Sequence, residues 1–597
     1  MNKYRILTNI LDKIIENKPK KYRKLYSTDS TEKTNQARSR AFIHLYLKVS
    51  FGLLSFEERE HFVTDGSQDG GIDGYYIDKE SRTIFFIQSK FRTNETNFES
   101  KKIALEEILV MDINNILDGN GKDENGNEYN GKIKQLQREI SGIENIGRYR
   151  YEVILLANIR KNIPASKFRV LTGGYPVNAF DYETCYNKLV FPVITGTYFN
   201  ATELNISIDL SNKNAGSKIS YTVTTRNGDC EITVLFVPTI EIAKILLKYR
   251  NSVLKYNPRS YLEFAGKKVN SAIRETILNE STNEFALFNN GITMLSDDSS
   301  INERIGQKNK AQLSVKNPQI INGGQTAYTL SKLLKENKDN LEIFDNKEVL
   351  LKVITFLDVP ESQEGKESKV DLIDRVSNAT NQQTPVLNAD KFANEKIYKK
   401  LQKALFERYG VLLERKRGEF EDGISNGYIN RDEIIERNLF FRIYYAAKGE
   451  INQASSKRLF QRHDTKKDIS ENLENLDRFY FGFLAQNKIK LPSSNNKARR
   501  DKSGFAKLYL LTKLFRPDDI NKYRESVNNN IPRINSIWTK HVEEFSKKPS
   551  PFRKTFYNKE TKQEDERFSK TKWYRSSKFE EYVLNLGEKL ENENWLQ

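Results

Sequence analysis

At 597 residues, 37% hydrophobic and 30% charged, the chain is long enough for about two to four domains, each burying its own apolar core. Its 97 Lys and Arg residues against 80 Asp and Glu give a formal charge of +17, and such a surface attracts polyanions in a salt-dependent way. Only Cys185 and Cys230 are present, and the four histidines lack ligand spacing, so a disulfide framework and a cysteine-rich zinc site are excluded and hard cations on oxygen ligands are favoured. The N-terminus has no long apolar run and no stretch reads as membrane-spanning, so cytoplasmic residence is expected.

Residues 4–17 and 33–50 have helical periodicity, the second with Phe42, Leu45, Tyr46 and Val49 on a broad apolar face. The stretch from Ile72 to Ile77 and that from Thr83 to Phe91 are rich in aromatic and β-branched residues, and the polar segment between them predicts a β-hairpin. Side chains alternate faces along a strand, so Gln88 and Lys90 share one. The plausible turn registers put Asp73 opposite or diagonal to Gln88, with Cβ atoms roughly 5–8 Å apart, a distance one hydrated divalent ion can bridge. Ile84, Phe85, Phe86 and Ile87 fill both faces of the second strand, which marks it as buried. Further helices are predicted at 99–117 and 131–144, on either side of a Gly/Asn/Asp-rich loop, and Tyr151 to Ala157 reads as another buried strand. A hairpin followed by a helical crossover into a third strand makes an α/β core.

The Asp73, Gln88, Lys90 constellation resembles the catalytic motif of the PD-(D/E)xK nuclease superfamily, in the variant with glutamine at the second acidic position. That resemblance implies a restriction-endonuclease-like mixed sheet flanked by helices. It also implies magnesium, with manganese as a substitute, held by Asp73, the side-chain oxygen of Gln88 and the main-chain carbonyl of Ser89, with Lys90 as the catalytic lysine. Relatives often add an upstream acidic residue; Glu57, Glu58, Glu60, Asp65 and Asp69 are all candidates. Lys132, Lys134, Arg138, Arg148, Arg150 and Arg160 are either a phosphate track or a solvated face.

From about 189 the chain turns β-rich, with strands predicted at Leu189 to Ile194, Leu204 to Leu210, Ile219 to Thr225 and Cys230 to Phe236, and then an amphipathic helix from Thr239 to Tyr256. The motifs that follow are Asn257-Pro-Arg259, Val269-Asn270, the run from Phe285 through Asn289-Asn290-Gly291 to Thr293, and Asn317 through Asn322-Gly-Gly324-Gln325-Thr326. Asn378-Ala-Thr-Asn381-Gln382-Gln-Thr-Pro385-Val386 and Glu414-Arg415-Lys416-Arg417-Gly418 complete the set. In order and spacing they resemble the AIPR family, named for abortive infection and phage resistance, over about 240–430. The resemblance implies a prokaryotic defence protein.

Read physically, Asn289-Asn290-Gly291 is a tight turn, and Asn322 to Thr326 is a turn opening a helix that runs past Leu334. Asn289, Asn290, Asn322 and Gln325 either meet nucleic acid or brace loops against one another. Arg415 and Arg417 either contact phosphate or form salt bridges within the fold. Beyond 430 the chain reads as largely helical. Its aromatic runs Phe440 to Tyr445 and Phe479 to Phe483 are expected to pack helices, and the basic patches at 497–500 and Trp573-Tyr574-Arg575 either touch nucleic acid or lie on a solvated face.

The expected architecture is therefore an α/β multidomain chain. It divides into a nuclease-like domain at 1–200, an α+β AIPR module at 201–430 and a mainly helical region at 431–597. The expected activity is metal-dependent endonucleolytic hydrolysis of invading phage or plasmid DNA, with RNA as another possible substrate. A homodimer is expected by analogy, and a companion defence protein is a further candidate partner. The alternative is a catalytically inactive nucleic-acid-binding sensor or assembly factor.

Overall fold

A computed structural model describes the chain except for residues 1–2, 101, 103–109, 159–165, 167–171, 211–217, 227, 258–266, 358–371, 374, 377–395, 457–471, 492–497, 499, 558–563 and 593–597. It is a mixed α/β protein with several sheets and a helical C-terminal region. The described residues form two compact units, Met1–Val386 with Lys416–Arg431, and Leu387–Arg415 with Asp432–Gln597.

In the first unit, helices α1 (Lys3–Glu16) and α2 (Thr31–Phe51) are followed by the short α3 (Phe56–His61) and by the hairpin β1 (Gly74–Asp78) and β2 (Thr83–Ser89). The hairpin is antiparallel with Gly74 opposite Ile87 and Asp78 opposite Thr83. β3 (Arg150–Leu156) lies parallel to β2, and β4 (Val177–Ala179) lies parallel to β3, so the sheet order is β1-β2-β3-β4. A parallel pair needs a crossover. Part of it is the helix Gly131–Ser141, whose Ile133, Leu136 and Ile140 bury against Tyr75, Ile84, Phe86, Val153 and Leu155. The other face of β2 meets α2, where the Phe51 and Phe85 ring centroids lie 5.0 Å apart. Both faces of β2 are thus covered, as its unbroken apolar run requires.

The same unit holds a three-stranded sheet, β5 (Glu203–Asp209), β10 (Lys310–Lys316) and β9 (Asp298–Asn302), in that order. It also holds a five-stranded sheet ordered β11 (Gln319–Asn322), β8 (Ile292–Ser296), β12 (Glu348–Phe356), β7 (Gly228–Pro238) and β6 (Ile219–Thr225). The helices Thr239–Tyr249 and Gly324–Glu336 share one apolar core with these strands. The expected helix to Tyr256 stops at Tyr249, and Arg250 to Leu254 continue as a 3₁₀ turn.

One expected strand is a helix. Leu189 to Ile194 spans a π-helical turn, Tyr186–Val190, and an α-helical turn, Phe191–Thr195. Leu189, Val190, Val193 and Ile194 are all buried, and their spacing is that of one helical face. Pro192 sits where the π-helical turn gives way to the α-helical one, and it would break a sheet ladder. Of the helix expected at 99–117, the ends Glu95–Glu99 and Ile113–Leu117 are helical, and 101 and 103–109 lie outside the described residues.

The second unit is built on the helices Arg437–Lys448, Leu473–Ile489, Ser503–Phe515, Tyr523–Lys547 and Phe579–Asn592. Phe440, Phe441, Tyr444, Tyr445, Phe479, Tyr480 and Phe481 are core residues there, as their spacing implied. Trp573 corrects the expectation for its segment. It is not on a solvated face but fully buried, stacked on Phe545 with ring centroids 4.5 Å apart, whereas Arg575 is exposed. Among the described residues no helix is long and apolar enough to cross a membrane.

Trp573→Ala is therefore expected to destabilise the protein by about 3–5 kcal/mol, and Arg575→Ala by less than about 0.5 kcal/mol. Urea unfolding followed by far-UV circular dichroism measures both.

Candidate metal centre

The loop entering β1 folds back on itself. The amides of Thr64 and Asp65 donate to the carbonyl of Asp73 at 3.0 and 3.1 Å, and the amide of Ile72 donates to the carbonyl of Asp69 at 3.1 Å. The Asp69 carboxylate accepts from the amides of Gly66 (3.2 Å) and Gly71 (2.9 Å). Gly71 has φ +74, and a Cβ there would sit 2.4 Å from the carbonyl oxygen of Val110, so no side chain fits. Asp73 extends the hairpin ladder by donating its amide to the Ile87 carbonyl at 2.9 Å. The outcome is three carboxylates, from Asp65, Asp69 and Asp73, with an oxygen of each lying within 4.8 Å of the others.

This arrangement is electrostatically costly. Asp73 is only 8% exposed, and burial, reinforced by the charges of Asp65 and Asp69, raises its carboxyl to about 7 despite the Ser89 amide and Lys90. Burial likewise raises the carboxyl of Asp69. A cluster of hard oxygen donors, two of whose carboxyls are raised by burial, suits a divalent cation that neutralises them. Asp65, Asp69 and Asp73 offer the hard oxygen donors that a magnesium-type cation takes.

Lys90 lies close enough to lower the carboxyls of both Asp69 and Asp73, and its own amide donates to the Leu156 carbonyl at 3.0 Å at the end of the β2–β3 pairing. Gln88 is buried, and its Nε2 donates 2.7 Å to the carbonyl of Gly71, tying β2 to the aspartate loop. Ser89 contributes through its amide, which donates to Asp73 Oδ2 at 2.6 Å. Of the upstream acids, Asp65 and Asp69 join Asp73. Glu57 is exposed, and Glu58 closes the capping box of α3 with Ser55.

Glu60 belongs to a buried network beside the cluster. Tyr26 donates to its carboxylate, and His44 Nε2 lies 2.9 Å from Oε2. Arg59 Nε donates to His44 Nδ1 at 3.2 Å, which puts the ring proton on Nε2 and lets it donate to Glu60. Burial drives the His44 imidazole down to about 4, so it is neutral. Burial opposes the charge of Glu60, yet hydrogen bonds from His44 and Tyr26 and the charge of Arg40 hold its carboxyl below the usual range. Arg40, which the sequence reading did not single out, joins this network to the cluster. Its Nη2 reaches Glu60 Oε1 at 3.2 Å, and its Nη1 donates to the Asp65 carbonyl (2.7 Å) and carboxylate (3.2 Å).

The basic residues of the proposed phosphate track are partly engaged: Lys132 donates to the carbonyls of Glu60 and His61 at 3.0 and 3.1 Å, and Lys134 pairs with Glu128 at 2.8 Å. Arg160 lies outside the described residues.

The amide-rich motifs converge elsewhere in the first unit. Asn289 Nδ2 donates to Thr326 Oγ1 at 3.1 Å while its Oδ1 accepts from the Gly291 amide at 3.0 Å. Gln325 donates 2.5 Å to Asn270, and Asn322 Oδ1 accepts from the Gly323 amide at 2.7 Å. Gly323 has φ +80, and a Cβ would sit 2.7 Å from the Gly291 carbonyl, so the two turns are pressed together. Asn290 is exposed. Arg415 Nε donates to Gln402 Oε1 at 2.7 Å, and Arg417 is exposed. Between them in sequence, Lys416 is buried, its Nζ donating to the carbonyls of Lys255 (2.6 Å) and Asn257 (2.8 Å). The motif 378–386 lies outside the described residues.

The model of the AIPR protein family matches residues 254–578, just over half of the 597-residue chain. The chain belongs to the AIPR family. The match runs well past 430, so the helical C-terminal region, which carried no resemblance in its sequence, is part of the AIPR region. The Asp65, Asp69 and Asp73 cluster lies before it. No curated protein and no solved structure matches the chain.

The raised carboxyl of Asp73 has a thermodynamic consequence for the metal-free AIPR protein. A folded-state pKa of about 7, against 3.8 for the ordinary group, means stability present below about pH 4 and lost as pH rises through 7. Asp73→Asn, which can still accept the Ser89 amide, is expected to match wild type near pH 4 and to be up to a few kcal/mol more stable at pH 8. Urea midpoints in chelator at the two pH values check this, and an equal difference at both would contradict the raised carboxyl.

Proposed function

We propose that this AIPR protein is a divalent-metal-dependent nuclease whose N-terminal sheet is restriction-endonuclease-like and whose active centre is Asp65, Asp69, Asp73 and Lys90. The observation that carries the reading is the gathering of three carboxylates with an oxygen of each within 4.8 Å, beside a lysine at the end of a buried strand. Asp73, with Asp69 and Asp65, would hold magnesium or manganese, which when bound supplies charge neutralisation at a phosphate oxygen and lowers the pKa of a coordinated water. The chain's own groups do the rest. The Ser89 amide and Arg40 fix Asp73 and Asp65 in place, and the Lys90 ammonium stabilises charge developing on the phosphate.

The family's association with abortive infection and phage resistance gives the activity its setting, defence against invading nucleic acid. The net charge of +17 favours a polyanionic substrate, and DNA is the substrate we propose. In this reading the AIPR region recognises or gates the substrate while the N-terminal centre cuts, and a homodimer or a companion defence protein completes the assembly.

A second reading rests on Gln88. Its amide nitrogen braces the Gly71 carbonyl, a bond that a glutamate could not donate, so the residue has a structural role independent of any metal. On that reading the protein is a nucleic-acid-binding sensor without turnover.

Purified protein is expected to cut DNA with magnesium or manganese and to stop when the metal is chelated. Asp73→Ala and Lys90→Ala are each expected to slow cutting by at least about 100-fold while DNA binding and folding persist. Cutting that continues in chelator, or at the wild-type rate in either variant, would overturn the metal centre. Binding with no turnover on duplex DNA, single-stranded DNA or RNA would establish the sensor instead.

A further inference from the structure

The edge strand of the five-stranded sheet, β6, alternates apolar Ile219, Tyr221 and Val223 with polar Ser220, Thr222 and Thr224. That period predicts one buried face. The structure leaves the face bare: Ile219 is 69% and Tyr221 68% exposed. The register with β7 and β12 continues it through half-buried Val234 and Leu350 and exposed Phe236. The main chain is bare too. β6 pairs with β7 on one side, and among the described residues no strand meets its other side from Ile219 to Thr224. Edge strands are normally blunted by charged residues, prolines or bulges. β6 has none of these: its register with β7 runs without a shift, and neither a charged residue nor a proline occurs between Lys218 and Arg226.

We infer that β6 is a docking edge for a second copy of the chain, the two β6 strands pairing antiparallel about a twofold axis to join two sheets into one. The strand's own sequence fits that occupant. Opposed residues of an antiparallel pair share a face, so a twofold pairing is centred on a residue. Centred on Thr222, it sets Lys218 of one copy against Arg226 of the other, and like charges directly opposite are destabilising. Centred on Tyr221, it sets Tyr221 against its own counterpart, Ile219 against Val223 and Lys218 against Thr224. The apolar face then runs on from one copy to the other while the cations stay apart. A polyanion or an acidic peptide, by contrast, meets no cation between Lys218 and Arg226. A contact that uses the same edge on both copies closes on itself, so assembly stops at the dimer.

The test is sedimentation velocity of the full chain across about 1–100 µM, where an interface of modest area is expected to show a reversible dimer. Tyr221→Lys and Tyr221→Glu each place like charges across the axis, and each is expected to weaken the dimer by at least about tenfold. The side chain is exposed, so both variants should fold, which circular dichroism checks. Mixing the two variants in equal amounts is expected to restore a dimer, because opposite charges then meet wherever position 221 faces position 221. A wild-type chain that stays monomeric, a dimer that neither variant weakens, or a mixture that remains monomeric would each overturn the proposal. The inference supplies the interface for a homodimer and rests on the sheet, not on the metal centre: DNA cutting by a monomer would overturn it and spare the nuclease reading, whereas a dimer of this register without cutting would uphold it.

Discussion

Burial of the Asp73 carboxylate beside those of Asp65 and Asp69 is the constraint around which the loop entering β1 is organised. Three carboxylates this close raise one another's energy, and Asp73 is buried as well. The protein meets this with backbone rather than with a full set of counter-charges: two glycine amides on the Asp69 carboxylate and the Ser89 amide on that of Asp73. Those donors are held by the β1–β2 ladder and by the parallel pairing of β2 with β3. Because side chains alternate along a strand, a one-residue slip of β2 would turn Gln88 and Lys90 to the opposite face and carry the Ser89 amide away from Asp73.

Much of this was legible in the sequence. The hairpin and its burial follow from β-branched and aromatic runs on both sides of a polar turn. The upstream acid was not legible, because five carboxylates precede Asp73 and only the folded loop selects among them. Asp65 and Asp69 reach the cluster through a return that depends on Gly71, whereas Glu58 is taken up by a helix cap and Glu60 by Tyr26 and His44. Arg40 carries no sequence signal, since it sits in a helix among ordinary polar residues. The segment Leu189 to Ile194 was misread because its residue types favour a strand while its spacing is helical, and spacing prevailed.

The AIPR region shows how motif residues can be structural without being inert. Asn289, Asn322 and Gln325 secure two turns at neighbouring ends of β8 and β11, where the backbones approach too closely for a side chain at position 323. Lys416 was passed over in favour of its arginine neighbours. Yet it is the buried residue that gathers the carbonyls of Leu254, Lys255 and Asn257 at and beyond the end of the 3₁₀ turn Arg250–Leu254, a cation placed at the carbonyl end of a helical segment.

Helix α2 carries Arg40, His44 and Lys48 at intervals of four residues. The first reaches Asp65 and Glu60, the second Glu60, and the third the hydroxyl of Tyr428 at 3.2 Å. Four-residue steps keep successive side chains on one slowly drifting stripe, so a single face of one helix serves the carboxylate cluster, the buried imidazole network and the 421–428 segment together. Length is therefore fixed more tightly here than composition. Inserting or deleting one residue between Lys48 and Phe51, with Phe51 held against Phe85, would rotate that stripe by about 100° and detach all three contacts at once. Homologous chains can be expected to vary in the loops on either side of α2 long before they vary in the number of residues within it.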